Sequence, residues 1–210
     1  MGGATKSEEV VQRIMKMHDR CVCVRGNREK YIIEGIPLIV HDEKMKVSTE
    51  QLQRNEYIKE QLTESSINYI KRLPKEMYCD IDGKKIYIVH YPMNDNGEFK
   101  KHIKKSTLSE NKEMFKNINA DIYLYGHTHE KNYNSDEKSI YINPGSLGCP
   151  GHTNCAQCGV LNVQNKAMEY EQLEVEYDTE KVVEDIENEA FPGYEHILKL
   201  FYGNRRIKSN

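Results

Sequence analysis

No apolar run in this chain approaches the ~18 residues that a membrane span requires, and the opening MGGATKSEEVV lacks the apolar core of a secretory signal. A cytoplasmic protein is expected. Charge of one sign is also missing: 30 Lys and Arg are scattered among 33 Asp and Glu, for a formal net charge of −3. That balance offers no basic patch to nucleic acid. Six cysteines in 210 residues do not make a disulfide scaffold, and a cytosolic setting keeps them reduced. Internal repeats and low-complexity tracts are absent. Gly2 and Gly3 invite thought of N-myristoylation, but Lys6 stands where that motif wants Ser or Thr. The length suits one domain over 1–210, closing with a polar helical segment over 179–210.

What is present alternates helical and strand patterns. Ser7 followed by two glutamates reads as an N-cap with first-turn acids, and Val10, Val11, Ile14 and Met15 recur at helical spacing, giving a helix over about 7–17. CVCVRGN then reads as a buried parallel strand feeding a loop. Residues 48–73 fit two surface helices stopped by Pro74. MYCDIDGKKIYIVHYP is a hairpin turning at Asp82-Gly83, a helix covers about 109–118, and a strand covers 121–125. KSIYINPGS, GVLNV and MEYEQLEVEY supply further strands.

Metal-capable side chains recur at the C-terminal ends of these strands: Asn27 after CVCV, His90 after IYIV, and His127 with His129 after DIYLY. In α/β proteins that edge is where loops converge on ligands. Imidazole suits several divalent metals, and an Asn carbonyl is an acceptable oxygen donor. In an extended H-x-H the two rings point to one side, so His127 and His129 would address neighbouring points of one pocket. Taken singly, each histidine reads more readily as a hydrogen-bonded loop residue than as a ligand.

GHTH after an apolar strand, INPGS about a dozen residues on, an upstream GN and an intervening strand ending in His together resemble the calcineurin-like metallophosphoesterases, in particular their small single-domain prokaryotic branch. The resemblance implies an α/β fold, a two-sheet sandwich flanked by helices, and metal-dependent hydrolysis of a phosphomonoester, phosphodiester or dinucleoside polyphosphate. It also implies a divalent metal cofactor (Mn, Fe, Zn, Ni or Mg) and a phosphate ester or nucleotide as the small-molecule partner. In that family two metals share a bridging carboxylate and a hydroxide. By resemblance Asn27, His90 and His127 bind one metal, His129 binds the other, and Asn143 to Ser146 form a structural turn beside the site.

Two departures stand out. The family's D-x-H and G-D-x-x-D motifs are absent, with Gly3 in the place of the second motif's Asp. The N-terminal β-α-β unit is thus expected to be missing, the chain truncated, its site limited to one metal and its activity impaired. Exposed strand faces would then repack or pair with another chain, a homo-oligomer. The second departure is GNRE where the common motif is GNH followed by Asp or Glu. Arg28 cannot protonate a leaving group, because its pKa lies above ~12, yet it can bind phosphate oxygens bidentately. Two rival readings remain: a catalytically inactive phosphate- or nucleotide-binding regulatory protein, and a zinc module built on Cys149, His152, Cys155 and Cys158. Cys21 and Cys23 read as buried core residues.

Overall fold

The computed structural model describes residues 5–41 and 43–205, apart from the side chain of residue 18. The expectations that fall on Gly2 and Gly3 lie outside that range. Contacts divide the chain into two compact units, residues 75–177 and residues 1–74 with 178–210.

The first unit is helical. Its elements are α1 (Ser7–Lys16), a 3-10 turn (His18–Arg20), α2 (Asn27–Glu34), the short strands β1 (Ile39–Val40) and β2 (Glu43–Lys44), α3 (Thr49–Glu60) and α4 (Glu64–Arg72). Two helices from the end of the chain complete it, α6 (Thr179–Glu189) and α7 (Tyr194–Phe201). Val11, Ile32, Ile58, Leu62 and Ile70 form a core shared by α1 to α4. The two helices expected over 48–73 are α3 and α4, each capped by a hydroxyl, Ser48 for α3 and Thr63 for α4. Helix α1 begins as expected, but its cap is Lys6 with φ 65°, and Ser7 is its buried first residue.

The expected strand at CVCV does not form. Residues 21–26 run without strand pairing, and Val22 is 60 % exposed. An extended run becomes a strand only where a neighbour satisfies its ladder, and among the described residues none lines up beside this one. The reading of Cys21 and Cys23 as core residues falls with it: both are only partly buried, their Sγ atoms 3.6 Å apart.

The second unit is the sandwich. Strands β3 (Glu76–Ile81), β4 (Lys84–Val89), β5 (Ile122–Leu124), β6 (Lys131–Ser135) and β7 (Ile140–Pro144) form a mixed sheet in the order β3-β4-β5-β7-β6. β4, β5 and β7 are parallel to one another and central; β3 and β6 run antiparallel at the edges. The hairpin turn sits at Asp82 (φ 50°) and Gly83 (φ 74°), the paired left-handed conformation of the tight turn that suits strand twist.

The three central strands share a written pattern, IYIV, IYLY and IYIN, and the period of two sorts it onto two faces. Ile86, Ile122, Ile140 and Ile142 point one way and meet Leu161, Val163, Met168 and Tyr170 of a second sheet. That sheet is the long hairpin of β8 (Cys155–Gln164) and β9 (Ala167–Glu176). Tyr87, Tyr123 and Tyr141 point the other way, onto Met114 and Phe115 at the end of helix α5 (Leu108–Met114). Helix α5 is shorter than the expected 109–118, because the chain leaves it at Phe115 to lay that ring among the tyrosines. Within the β8-β9 hairpin, Gly159 faces the ring of Tyr170 so closely that a β-carbon there would stand 2.4 Å from it.

Candidate functional site

Strands β4, β5 and β7 end together, and their backbone ladder continues past their last assigned residues. Gly126 N donates to His90 O (2.9 Å) and Tyr125 N to Ile142 O (3.0 Å). The first bond ties the loop carrying His127 to His90, and the second ties its base to β7. The two rings meet at 3.2 Å between His90 Nε2 and His127 Nδ1, nearly perpendicular. Around His127 stand Tyr91, Phe99 and His102, with ring centroids 5.1, 5.7 and 5.8 Å away.

The H-x-H segment is not extended. His127 has φ 72° and His129 φ 60°, both left-handed, and Thr128 N donates to Gly126 O at 2.9 Å. A bond from residue i+2 back to residue i across a positive φ marks the rare, strained form of the γ-turn, with His127 at its apex. The expected extended form is thus corrected: a γ-turn at His127 replaces it, with the His127 ring against His90, and the charge of His129 still reaches both rings.

Asn143 holds this turn. Its side chain is 1 % exposed; Nδ2 donates to Gly126 O and to Thr128 Oγ1, both at 3.0 Å, and Oδ1 accepts from Gly145 N at 3.0 Å. Three of its hydrogen-bond positions are used, two on the strained turn and one on its own Pro-Gly turn. The sequence announced only a turn here; the signal was present, since Asn two residues before Gly is the pattern of a side chain that bonds its own backbone.

Electrostatically, the two rings are kept neutral. Burial, then the charge of His129, pushes His90 down to about 4. Burial, then His90, His102 and His129, does the same to His127. A neutral imidazole is the form that binds metal. Two nitrogens each about 2.1 Å from one ion and about 100° apart stand about 3.2 Å from each other, so the observed separation fits two adjacent corners of a coordination shell. Among the described residues, no three His, Cys, Asp or Glu side chains gather around a common point. The pair therefore fits part of a shell, and the Cys149, His152, Cys155 and Cys158 zinc module is not assembled.

Asn27 and Arg28 belong to the first unit, as the first two residues of α2. Gly26 caps that helix, and the buried Glu29 of GNRE accepts from Gly26 N at 2.9 Å, so the acid of that motif is spent on the turn itself.

A family model described as the calcineurin-like phosphoesterase superfamily domain matches residues 2–166, which span parts of both units. Among solved structures, a hypothetical protein from Pyrococcus horikoshii OT3 superposes with a TM-score of 0.77 at 18 % identity, over 96 % of this chain and 81 % of that one. A metallophosphoesterase from Sphaerobacter thermophilus superposes with a TM-score of 0.69 at 16 % identity, over 98 % and 85 %. No curated protein matches the sequence. Among the described residues no helix is long and apolar enough to cross a membrane.

Proposed function

Because the chain belongs to the calcineurin-like phosphoesterase superfamily, we propose that it hydrolyses a phosphate ester with the help of one divalent ion held at the His90 and His127 pair. The observation that carries this reading is the 3.2 Å approach of two ring nitrogens from two different strand ends. A bound divalent ion would supply positive charge to the phosphoryl oxygens and acidify an attacking water. The chain's own residues do the rest. His90 and His127 present neutral nitrogens, and Asn143 fixes the turn that aims one of them. By motif, Asn27 is assigned as a further oxygen donor and His129 as a ligand outside the pair. Arg28 is assigned to the phosphate oxygens, where it offsets charge without giving up a proton.

With no carboxylate joining the pair among the described residues, the proposed activity is low and favours good leaving groups. The same observation favours the second reading, a catalytically silent phosphate- or nucleotide-binding protein. All six cysteines are free thiols, in keeping with the cytoplasmic setting we propose. Hydrolysis of bis-p-nitrophenyl phosphate with added Mn separates the two readings. Mn-dependent turnover that disappears in His127→Ala supports the enzyme; a folded chain that binds Mn and turns over neither this ester nor a dinucleoside polyphosphate leaves the binding protein.

A further inference from the structure

Arg54, the sixth residue of α3 in the first unit, is 2 % exposed, and its Nε has no hydrogen-bond partner. A guanidinium carries five N–H groups and a full charge, and burying even one of those groups without a partner is costly. Such a group calls for an anion. The surroundings within the unit do not provide one: no carboxylate forms an ion pair with Arg54 among the described residues. Glu50, one turn back on α3, is exposed and only partly offsets the charge.

Other neighbours make the place more positive. Helix α2 packs on α3 through Asn55, whose Nδ2 donates to Tyr31 O at 3.0 Å, and the charge of Arg28, at the start of α2, reaches Arg54. Burial first, then Arg28, pushes Arg54 below the ordinary arginine value. Gly193, the cap residue of α7 with φ 73°, lies so near that a β-carbon there would stand 2.9 Å from Arg54 Nη1. The guanidinium thus abuts the positive end of a helix dipole.

We propose that Arg54 forms an anion subsite that takes a phosphate group, either the free ion or a nucleotide's monophosphate. The choice of phosphate rests on the phosphoesterase reading; the need for an oxyanion with bidentate geometry does not.

The test is calorimetric titration of inorganic phosphate into the full chain in EDTA, at constant ionic strength, with melting curves recorded alongside. The wild type is expected to bind one phosphate and to melt higher with it. Arg54→Met is expected to weaken that binding at least about tenfold while melting no lower than wild type in phosphate-free buffer, since a buried unpaired charge has been removed. Arg54→Met that binds phosphate as wild type does would overturn the subsite. Should Arg54→Met fail to fold, Arg54→Lys decides: it keeps the charge and loses the fork, so unchanged affinity overturns the proposal and weakened affinity supports it. AMP competing with phosphate one for one would identify the carried group, and phosphate binding without competition the free ion. Phosphate binding that appears only with Mn would sink the subsite and leave the phosphoesterase reading standing; binding in EDTA without any Mn-dependent hydrolysis would do the reverse.

Discussion

Asn143 Nδ2 donates to Thr128 Oγ1 at 3.0 Å, and so pins the residue that separates two left-handed histidines. Because the same nitrogen also donates to Gly126 O, both ends of the strained turn hang on one side chain. Asn143→Ala removes those bonds and leaves the Gly126 carbonyl with the Thr128 N–H alone, a loss of about 1–3 kcal/mol. In a chain of this size that lowers the melting temperature by roughly 2–4 °C for each kcal/mol. Metal affinity at His127 should fall about 10–100-fold, read by titration calorimetry with Mn or Zn. A melting shift without an affinity loss would mean that the turn holds its shape unaided.

Gly145 has φ 92°, and a β-carbon placed there would lie 2.1 Å from Gln157 Oε1 and 2.9 Å from Gln157 Cβ. Gly145→Ala must therefore both strain the backbone and push back the first residues of β8. We expect a cost of about 1–3 kcal/mol, measured by urea unfolding. The paired variant Gly145→Ala with Gln157→Gly should recover the clash with the side chain and leave the backbone part.

His90 and His127 are both held at about 4 by burial and by neighbouring histidines, below the ordinary value near 6.5. The unfolded chain therefore binds more protons than the folded one between about pH 4 and pH 6.5, and stability rises with pH across that window. It is fully present above about 6.5 and is lost as pH falls towards 4, by an amount on the order of 3 kcal/mol for each histidine. Urea midpoints of the metal-free protein at pH 5 and pH 7 measure it. Replacing His90 by Gln should flatten the difference; an unchanged slope would place the titrating groups elsewhere.

Ile122 and Ile142 lie on the aliphatic face of the central strands, fully buried. Truncating either to Ala should cost about 2–5 kcal/mol, whereas Ile→Val at the same sites should cost about 0.5–1.5. Equal small losses for both substitutions would show a loosely packed interface with the β8-β9 hairpin.

Much of this was readable in the chain. The Asp82-Gly83 turn placed the hairpin, and the apolar runs placed the strands at 121–125 and in KSIYINPGS, because such runs and a left-handed dipeptide are local signals. His90 and His127 were legible as strand-end histidines, and the structure brings them together. CVCV was misread because its apolar character says nothing about whether a neighbouring strand exists to complete its ladder. The extended form of H-x-H was misread for a different reason: the γ-turn at His127 is held by Asn143, some fifteen residues later, and no pattern within GHTH records it. Arg54 carried no motif at all; its burial follows from how α2, α3 and Gly193 close around it.

The contact of Gly159 with the Tyr170 ring bears on how the hairpin finds its pairing during folding. β8 and β9 are each ten residues long and alternate in polarity over much of their length, which leaves a two-residue slip compatible with the same inward face. Slipped by two, the ring would meet Gln157 or Leu161 instead of a bare α-carbon, and the misaligned ladder would jam where the native one closes. Gly159 thus serves as an alignment mark, making the wrong zipper slower to form and quicker to reopen.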